Sequence, residues 1–338
     1  MKRMRVIRIR QPDDWHFHPR QGELMAAVLP WTARSFARGL AMGNTVPPIA
    51  GANDVVRWRS EMSAISPGFE PLIAIKLLQR TTPEMIYAAK GAGAIAAKLY
   101  PVGMTTNSDD GISDILAMYP VFAAMERAGM VLCLHGEKPG VFTLDREGAF
   151  IPSLCEIVDA FPGLKIVLEH ITTAESVRLI ARMPATVAAT ITVHHLYLTL
   201  DDVIGGMLRP HAFCKPIAKR PEDRANLILA ATSGDPKFFL GTDSAPHLCG
   251  KKECDGGCAG VWVPHAMEAL TAKFEEHGKL DRLGDFTSRF GAEHYGQPLN
   301  QGFLEMRREP EPWIVPDEIS GIVPFLAGQK LNWRIVES

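Results

Sequence analysis

"MVLCLHG", residues 130–136, runs five apolar residues together and then stops on a histidine, His135. The run is too short for a helix and lacks the alternation of a half-exposed strand. It reads as a strand buried on both faces. Seven more stretches share the pattern: "WHFH" after the opening "VIRIR", "GLAMGN", "PLIAIKLL", "AIAAKLY", "KIVLEH", "ATVAATITVHH" and "FFLGTDS". Between them lie segments with helical spacing, "TTPEMIYAAKGAG", "GISDILAMYPVFAAMERAG", "IPSLCEIVDAFPG", "TTAESVRLIARMP" and "PEDRANLILAATSGD". Pro83 sits where a first helical turn tolerates it, and Thr172, Thr173 and Glu175 resemble a helix start. Strands alternating with helices imply parallel βαβ units, and eight such units predict a closed (β/α)₈ barrel. A doubly wound open sheet is the alternative, but no GxGxxG follows the first strand.

The bulk composition agrees with that architecture. Of 338 residues, 46% are hydrophobic and 22% charged, enough to bury a sizeable core. We expect one catalytic domain over 1–338 with short extensions at each end. A net charge of −2 argues against a nucleic-acid or anionic-membrane partner, which would ask for a basic patch. No apolar run reaches the roughly 18 residues that span a bilayer. The basic opening "MKRMRVIRIR" is followed by no apolar signal core and reads as an edge strand, with Val6, Ile7 and Ile9 set among arginines. Six cysteines in a chain of this size form no disulfide framework and suit reduced thiols in a cytoplasm.

The informative residues close the apolar runs. "DDWHFHPR" (13–20) places His16, His18 and Arg20 at alternate positions, which share one face for as long as the strand geometry lasts. Asn44 closes the second run, Lys98 lies inside the fourth, and His135, His170 and Asp243 close the fifth, sixth and eighth. In a (β/α)₈ barrel these ends converge on one mouth. A lone histidine there is most often structural. Four histidines with an aspartate suit a borderline divalent ion such as zinc. Lys98, among Ala96, Ala97 and Leu99, is costly to bury as an ammonium. It either snorkels or pairs, or it loses its proton and reacts with carbon dioxide to give a carbamate that bridges two metal ions.

Taken in order, "DDWHFHPR", "AAKLYP", "MTTNSDDG", "LHGE", "EHITT", "RPHAFCKPI", "GTDSAPH", "GCAG" and "VPFLAG" resemble dihydroorotase, the shorter bacterial type of the amidohydrolase superfamily. The likeness runs from about residue 10 to about residue 330. It implies two zinc ions: His16, His18 and Asp243 hold one, His135 and His170 hold the other, and carboxylated Lys98 bridges them. It implies that Arg20, Asn44 and His247 bind the substrate carboxylate, with His135 also at the substrate. The backbone at Lys215 and Ala259 meets the amide and imide edges of the ring, and the loop at Thr105 and Thr106 closes over it. A homodimer is implied as well. Three residues depart from the pattern: Pro19 between His18 and Arg20, Gly43 where proline is usual, and Lys215 where an apolar residue is usual. None removes a metal ligand.

The implied reaction is reversible opening of cyclic dihydroorotate to carbamoyl aspartate, ring closure being the pyrimidine-biosynthetic direction. Metal coordination lowers the pKa of bound water from about 15.7 towards about 7, so the bridging hydroxide is the expected nucleophile. Asp243 is the general base and acid. Arg20 offers a planar fork for a carboxylate. The nearest rival is another cyclic-amide hydrolase, a hydantoinase or allantoinase, whose substrates need carry no carboxylate. A silent scaffold subunit is the rival of another class, and such chains lose metal ligands that are all present here. "HLCGKKECDGGC" invites a structural zinc at Cys249, Cys254 and Cys258, but its C-x₄-C-x₃-C spacing is not that of paired ligands. His194 and His195 read as structural or pocket-shaping, His211 as structural, and His265, His277 and His294 as surface residues.

Overall fold

The computed structural model describes residues 5–255 and 257–336. Its strands are β1 (Val6–Arg10), β2 (Asp13–Phe17), β3 (Arg38–Met42), β4 (Glu70–Lys76), β5 (Ala96–Leu99), β6 (Val131–His135), β7 (Ile166–Glu169), β8 (Val187–Ile191), β9 (Phe238–Leu240), β10 (Phe303–Ile314) and β11 (Lys330–Ile335). Strands β2 to β9 form one parallel sheet in sequence order, and each of the eight expected runs supplies one of them. Near the mouth β9 is tied back to β2. Asp243 N–H donates to His16 O at 2.8 Å and His18 N–H to Ser244 O at 3.0 Å. The expected (β/α)₈ barrel is therefore what the chain forms.

Burial on both faces is what made these strands read as unbroken apolar runs. Inside the barrel, Leu40, Met42, Leu72, Ala74, Ala96, Val131, Cys133, Val167, Ala188 and Phe239 pack on Trp15 and Tyr295. Those two rings stack 4.5 Å apart and only 6° from parallel. A second, larger core lies between the sheet and its helices. Thr82 caps the helix Pro83–Gly91 and Thr173 caps Ala174–Ile180, each accepting a backbone N–H.

Other helices differ from expectation. The helix Arg146–Ala160 starts five residues before Ile151, the first residue of the segment read as helical, so Pro152 lies in its interior. Helices Gly22–Ser35, Ala52–Ile65 and Ala266–Glu276 also cover the barrel. Outside it, β1, β10 and β11 form an antiparallel sheet with β1 at one edge. Leu304, Met306, Trp333 and Ile335 of that sheet join the large core.

Candidate active site

Two-residue alternation along the strands aims the chemistry. Val131 and Cys133 face the lumen, so His135 does too. Ala96 leads to Lys98, Val167 to Glu169 and Ala188 to Thr190 in the same way. The rule fails at Arg20. Strand β2 ends at Phe17, and Arg20 adopts a left-handed backbone with φ 62°. His18 already lies one residue past the strand, and what brings it beside His16 is their shared partner Asp243.

His16 and His18 meet at one oxygen. Asp243 Oδ1 lies 3.3 Å from His16 Nε2 and 2.9 Å from His18 Nε2. Burial opposes charge on Asp243, but these two imidazoles hold its carboxyl well below the usual range. The other nitrogen of His16, Nδ1, is 2.8 Å from Glu169 Oε2, which also accepts from Thr190 Oγ1 at 2.5 Å. His135 Nε2 pairs with Glu137 Oε2 at 2.8 Å. The His170 ring sits 5.1 Å from that of His16 and 4.9 Å from that of His135. Lys98 is fully buried at the lumen floor, and burial pushes its pKa down.

These donors fit a divalent metal centre. His16, His18 and Asp243 offer three ligand atoms within 4.8 Å of one another. His170 Nδ1 and Lys98 Nζ are buried with no hydrogen-bond partner among the described residues. Unpaired buried polar atoms are costly, and a bound cation together with an anionic group on Lys98 would satisfy both. Glu169 and Glu137 each fix one nitrogen of a histidine, Nδ1 of His16 and Nε2 of His135, the usual support for metal-bound imidazole. Sequence reading passed over both carboxylates, although they lie inside the quoted motifs "EHITT" and "LHGE".

Beside this cluster a small cavity is lined by His18, Arg20, Asn44, Thr105, Thr106, Lys215, Asp243, Ala245, Ala259 and Gly260. Arg20 is anchored by Nε to Pro246 O at 2.6 Å and lies 3.1 Å through Nη2 from His247 Nε2. His247 touches two of the lining residues, Arg20 and Ala259, and burial pushes its pKa down to about 3. Asn44 Nδ2 donates to Thr106 O at 3.2 Å, and Asn107 Nδ2 donates back to Asn44 O at 2.9 Å. That exchange holds the Thr105–Thr106 loop across the cavity. Gly43, one of the departures, fits for a steric reason. A Cβ there would come within 2.9 Å of backbone atoms of Lys76, Ala74 and Ile49.

His194, His195 and Cys214 form a second group of close ligand atoms. His195 Nε2 and Cys214 Sγ both pair with Pro216 O, at 3.1 and 3.3 Å, so they brace the backbone next to Lys215. His211 pairs with Glu253 at the surface. His265, expected at the surface, is instead buried between Trp31 and Trp313. His294 is half-buried against Phe239 because its short helix covers one end of the barrel.

A (β/α)₈ barrel with histidines, a buried lysine and an aspartate gathered at the C-terminal strand ends defines an amidohydrolase. Residues 8–198 match the family model described as Amidohydrolase. A dihydroorotase of Teredinibacter turnerae is 47% identical over 336 residues, covering 96% of this chain and 97% of that one. The crystal structure of the dihydroorotase of Saccharomyces cerevisiae in complex with 5-fluoroorotic acid superposes with a TM-score of 0.93 at 35% identity, covering 98% of both chains. That of Campylobacter jejuni gives 0.91 at 34% identity, covering 100% of this chain and 99% of that one. The chain belongs to the dihydroorotase family of metal-dependent enzymes.

Proposed function

We propose that this enzyme opens dihydroorotate to N-carbamoyl-L-aspartate and, in the biosynthetic direction for pyrimidines, closes it again. The carrying observation is that one cavity brings Arg20, Asn44, Thr105, Thr106, Lys215 and Ala259 against His18 and Asp243. A carboxylate binder beside a metal-ligand cluster suits an acidic cyclic amide better than a hydantoin.

His16, His18 and Asp243 would hold one zinc ion, His135 and His170 a second, and Lys98 would bridge them as its N6-carboxylate. The unpaired Lys98 Nζ supports that modification. Its neutral amine adds to the carbon of carbon dioxide and sheds a proton, which exchanges an unpaired donor for an anionic ligand. Bound there, the ions supply Lewis acidity towards the amide carbonyl and lower the pKa of water.

The chain's own groups do the rest. Arg20 receives the substrate carboxylate on the guanidinium edge not spent on Pro246, and Asn44 adds a neutral donor. His247, beside Arg20 and held by Ala259 O, completes the carboxylate site. Asp243 takes a proton from the attacking water and returns it to the ring nitrogen as the C–N bond breaks. Backbone at Ala259 and Lys215 meets the ring edges, His135 borders the bound ring, and the Thr105–Thr106 loop excludes water.

We further propose that residues 1–338 act as one catalytic unit, as a homodimer in the cytoplasm. The free state of the cysteines and the family resemblance support this. Among the described residues, no helix is long and apolar enough to cross a membrane.

The test is the rate of L-dihydroorotate ring opening by zinc-loaded protein, followed by ultraviolet absorbance beside hydantoin and allantoin. Turnover far above that on the other two is expected. Absence of turnover with two zinc ions bound would refute the substrate. Asp243→Ala should abolish turnover, and a variant that kept its kcat with metal bound would refute the proton-transfer role.

A further inference from the structure

Lys252 lies in the short helix Cys249–Glu253, flanked in sequence by Lys251 and Glu253. It is nonetheless only 3% exposed. An ammonium has three N–H donors, and this one makes three hydrogen bonds, all to main chain. It donates to Phe213 O and Cys258 O at 2.8 Å and to Gly260 O at 2.7 Å. Phe213 O also receives Gly260 N–H at 3.0 Å.

The pattern around Ala259 is the significant part. The carbonyls on either side of it are turned to Lys252. The carbonyl of Ala259 is turned the other way, accepting from His247 Nε2 at 3.0 Å and Thr106 Oγ1 at 3.5 Å. Gly260 has φ 148°, and a Cβ there would sit 2.7 Å from Ala245 O, so the position needs glycine. Glycine is the residue least able to hold its own conformation. Lys252 fixes it from behind, and through Phe213 it fixes the start of the strand of backbone that carries Lys215.

We propose that Lys252 is a positioning residue for substrate. Without lining the cavity, it locks the Cys258–Gly260 and Phe213–Lys215 backbones so that the Ala259 edge faces the bound ring. The inference rests on the reading of Ala259 and Lys215 as substrate contacts. It assigns Lys252 to affinity and not to the chemical step.

The test compares the zinc-loaded full chain with Lys252→Met and Lys252→Arg. In Lys252→Met the KM for dihydroorotate should rise about tenfold, equivalent to about 1.4 kcal/mol. Its kcat should stay within about twofold, because uniform binding is what is lost. Zinc content should be unchanged, and Lys252→Arg should recover part of the loss. Amide exchange at Gly260 should quicken in Lys252→Met, or in Lys252→Gln if the methionine variant does not fold. An unchanged KM would overturn the proposal, as would kcat, zinc content and melting temperature falling together. If the wild type fails to turn over dihydroorotate, the substrate reading fails separately. Exchange at Gly260 then still decides whether Lys252 holds this backbone.

Discussion

Replacing Glu147 by alanine tests how the His170 turn is held. Glu147 is 3% exposed and lies in the helix Arg146–Ala160, touching none of the six metal-ligand candidates. Its carboxylate accepts from Thr172 N–H at 2.9 Å, Thr173 N–H at 3.0 Å and Thr173 Oγ1 at 2.7 Å, and from Thr172 Oγ1. All four donors belong to the turn that follows His170. Truncation leaves them without their acceptor. The hydroxyls can rotate, and Thr173 Oγ1 already has Ser176 Oγ at 3.0 Å. The two backbone N–H groups cannot. A stranded buried donor costs about 1–3 kcal/mol, so the pair gives about 2–6, and water entering the vacated space favours the lower half. We expect about 3 kcal/mol. The assay is urea unfolding of metal-free protein, because bound zinc adds a linkage contribution of its own. An unchanged m-value would confirm that native stability alone moved. The zinc-loaded form should also lose metal more readily, since His170 follows the turn. A loss below about 1 kcal/mol with wild-type zinc retention would refute this reasoning. It would mean that Thr190, which accepts His170 N–H at 2.7 Å, is enough to hold the backbone.

Three further perturbations probe other parts of the molecule. Arg20→Met removes a charged carboxylate donor and should raise KM about 10- to 100-fold with kcat little changed; steady-state kinetics in which kcat falls and KM does not would contradict the assignment. Gly291→Ala puts a methyl group against the Trp15 indole, and overpacking of this kind costs about 1–3 kcal/mol, read as a lower urea midpoint. Burial pushes the His294 pKa down to about 4 from 6.5, so the folded state binds its proton less readily than the unfolded chain. Its contribution is therefore full above pH 6.5 and lost as pH falls towards 4, at up to about 1.4 kcal/mol per pH unit. His294→Leu should flatten that part of the stability curve, and identical wild-type and variant slopes between pH 7 and 5 would rule the contribution out.

The barrel was legible because its strands are buried on both faces, which leaves an unbroken apolar signature. The antiparallel sheet was not. Strand β10, "FLEMRREPEPWI", carries four charged residues in its first eight positions and two prolines, and only Leu304 and Met306 are buried. Its partner β1 lies some 300 residues earlier, and no local pattern announces a pairing of that range. The metal-ligand candidates were legible as polar residues closing apolar runs. Glu137 and Glu169 were not, because an acid beside a histidine looks like the start of a loop. Lys252 was hidden for the opposite reason: beside Lys251 and Glu253 it resembles solvated charge, and only the three carbonyls above its ammonium reveal its use.

What strand periodicity alone does not deliver is two consecutive side chains in one lumen. Alternation gives β7 one inward residue at its end, Glu169, and would send His170 out towards the helices. The backbone of His170 instead turns left-handed, with φ 43°, and brings its ring back among His16 and His135. After β9 alternation runs from Phe239 through Gly241 to Asp243, which at φ 48° reaches His16 and His18. Arg20 at 62° and Asn107 at 55° complete the set around the cavity. Each such non-glycine residue costs about 1 kcal/mol or more and persists only where neighbours over-determine it. Here they do, through His170 N–H to Thr190, Asp243 N–H to His16 O and Asn107 to Asn44. The barrel thus gives up local backbone stability around its mouth, and at His170 it places one ring more in the lumen than alternation along β7 supplies.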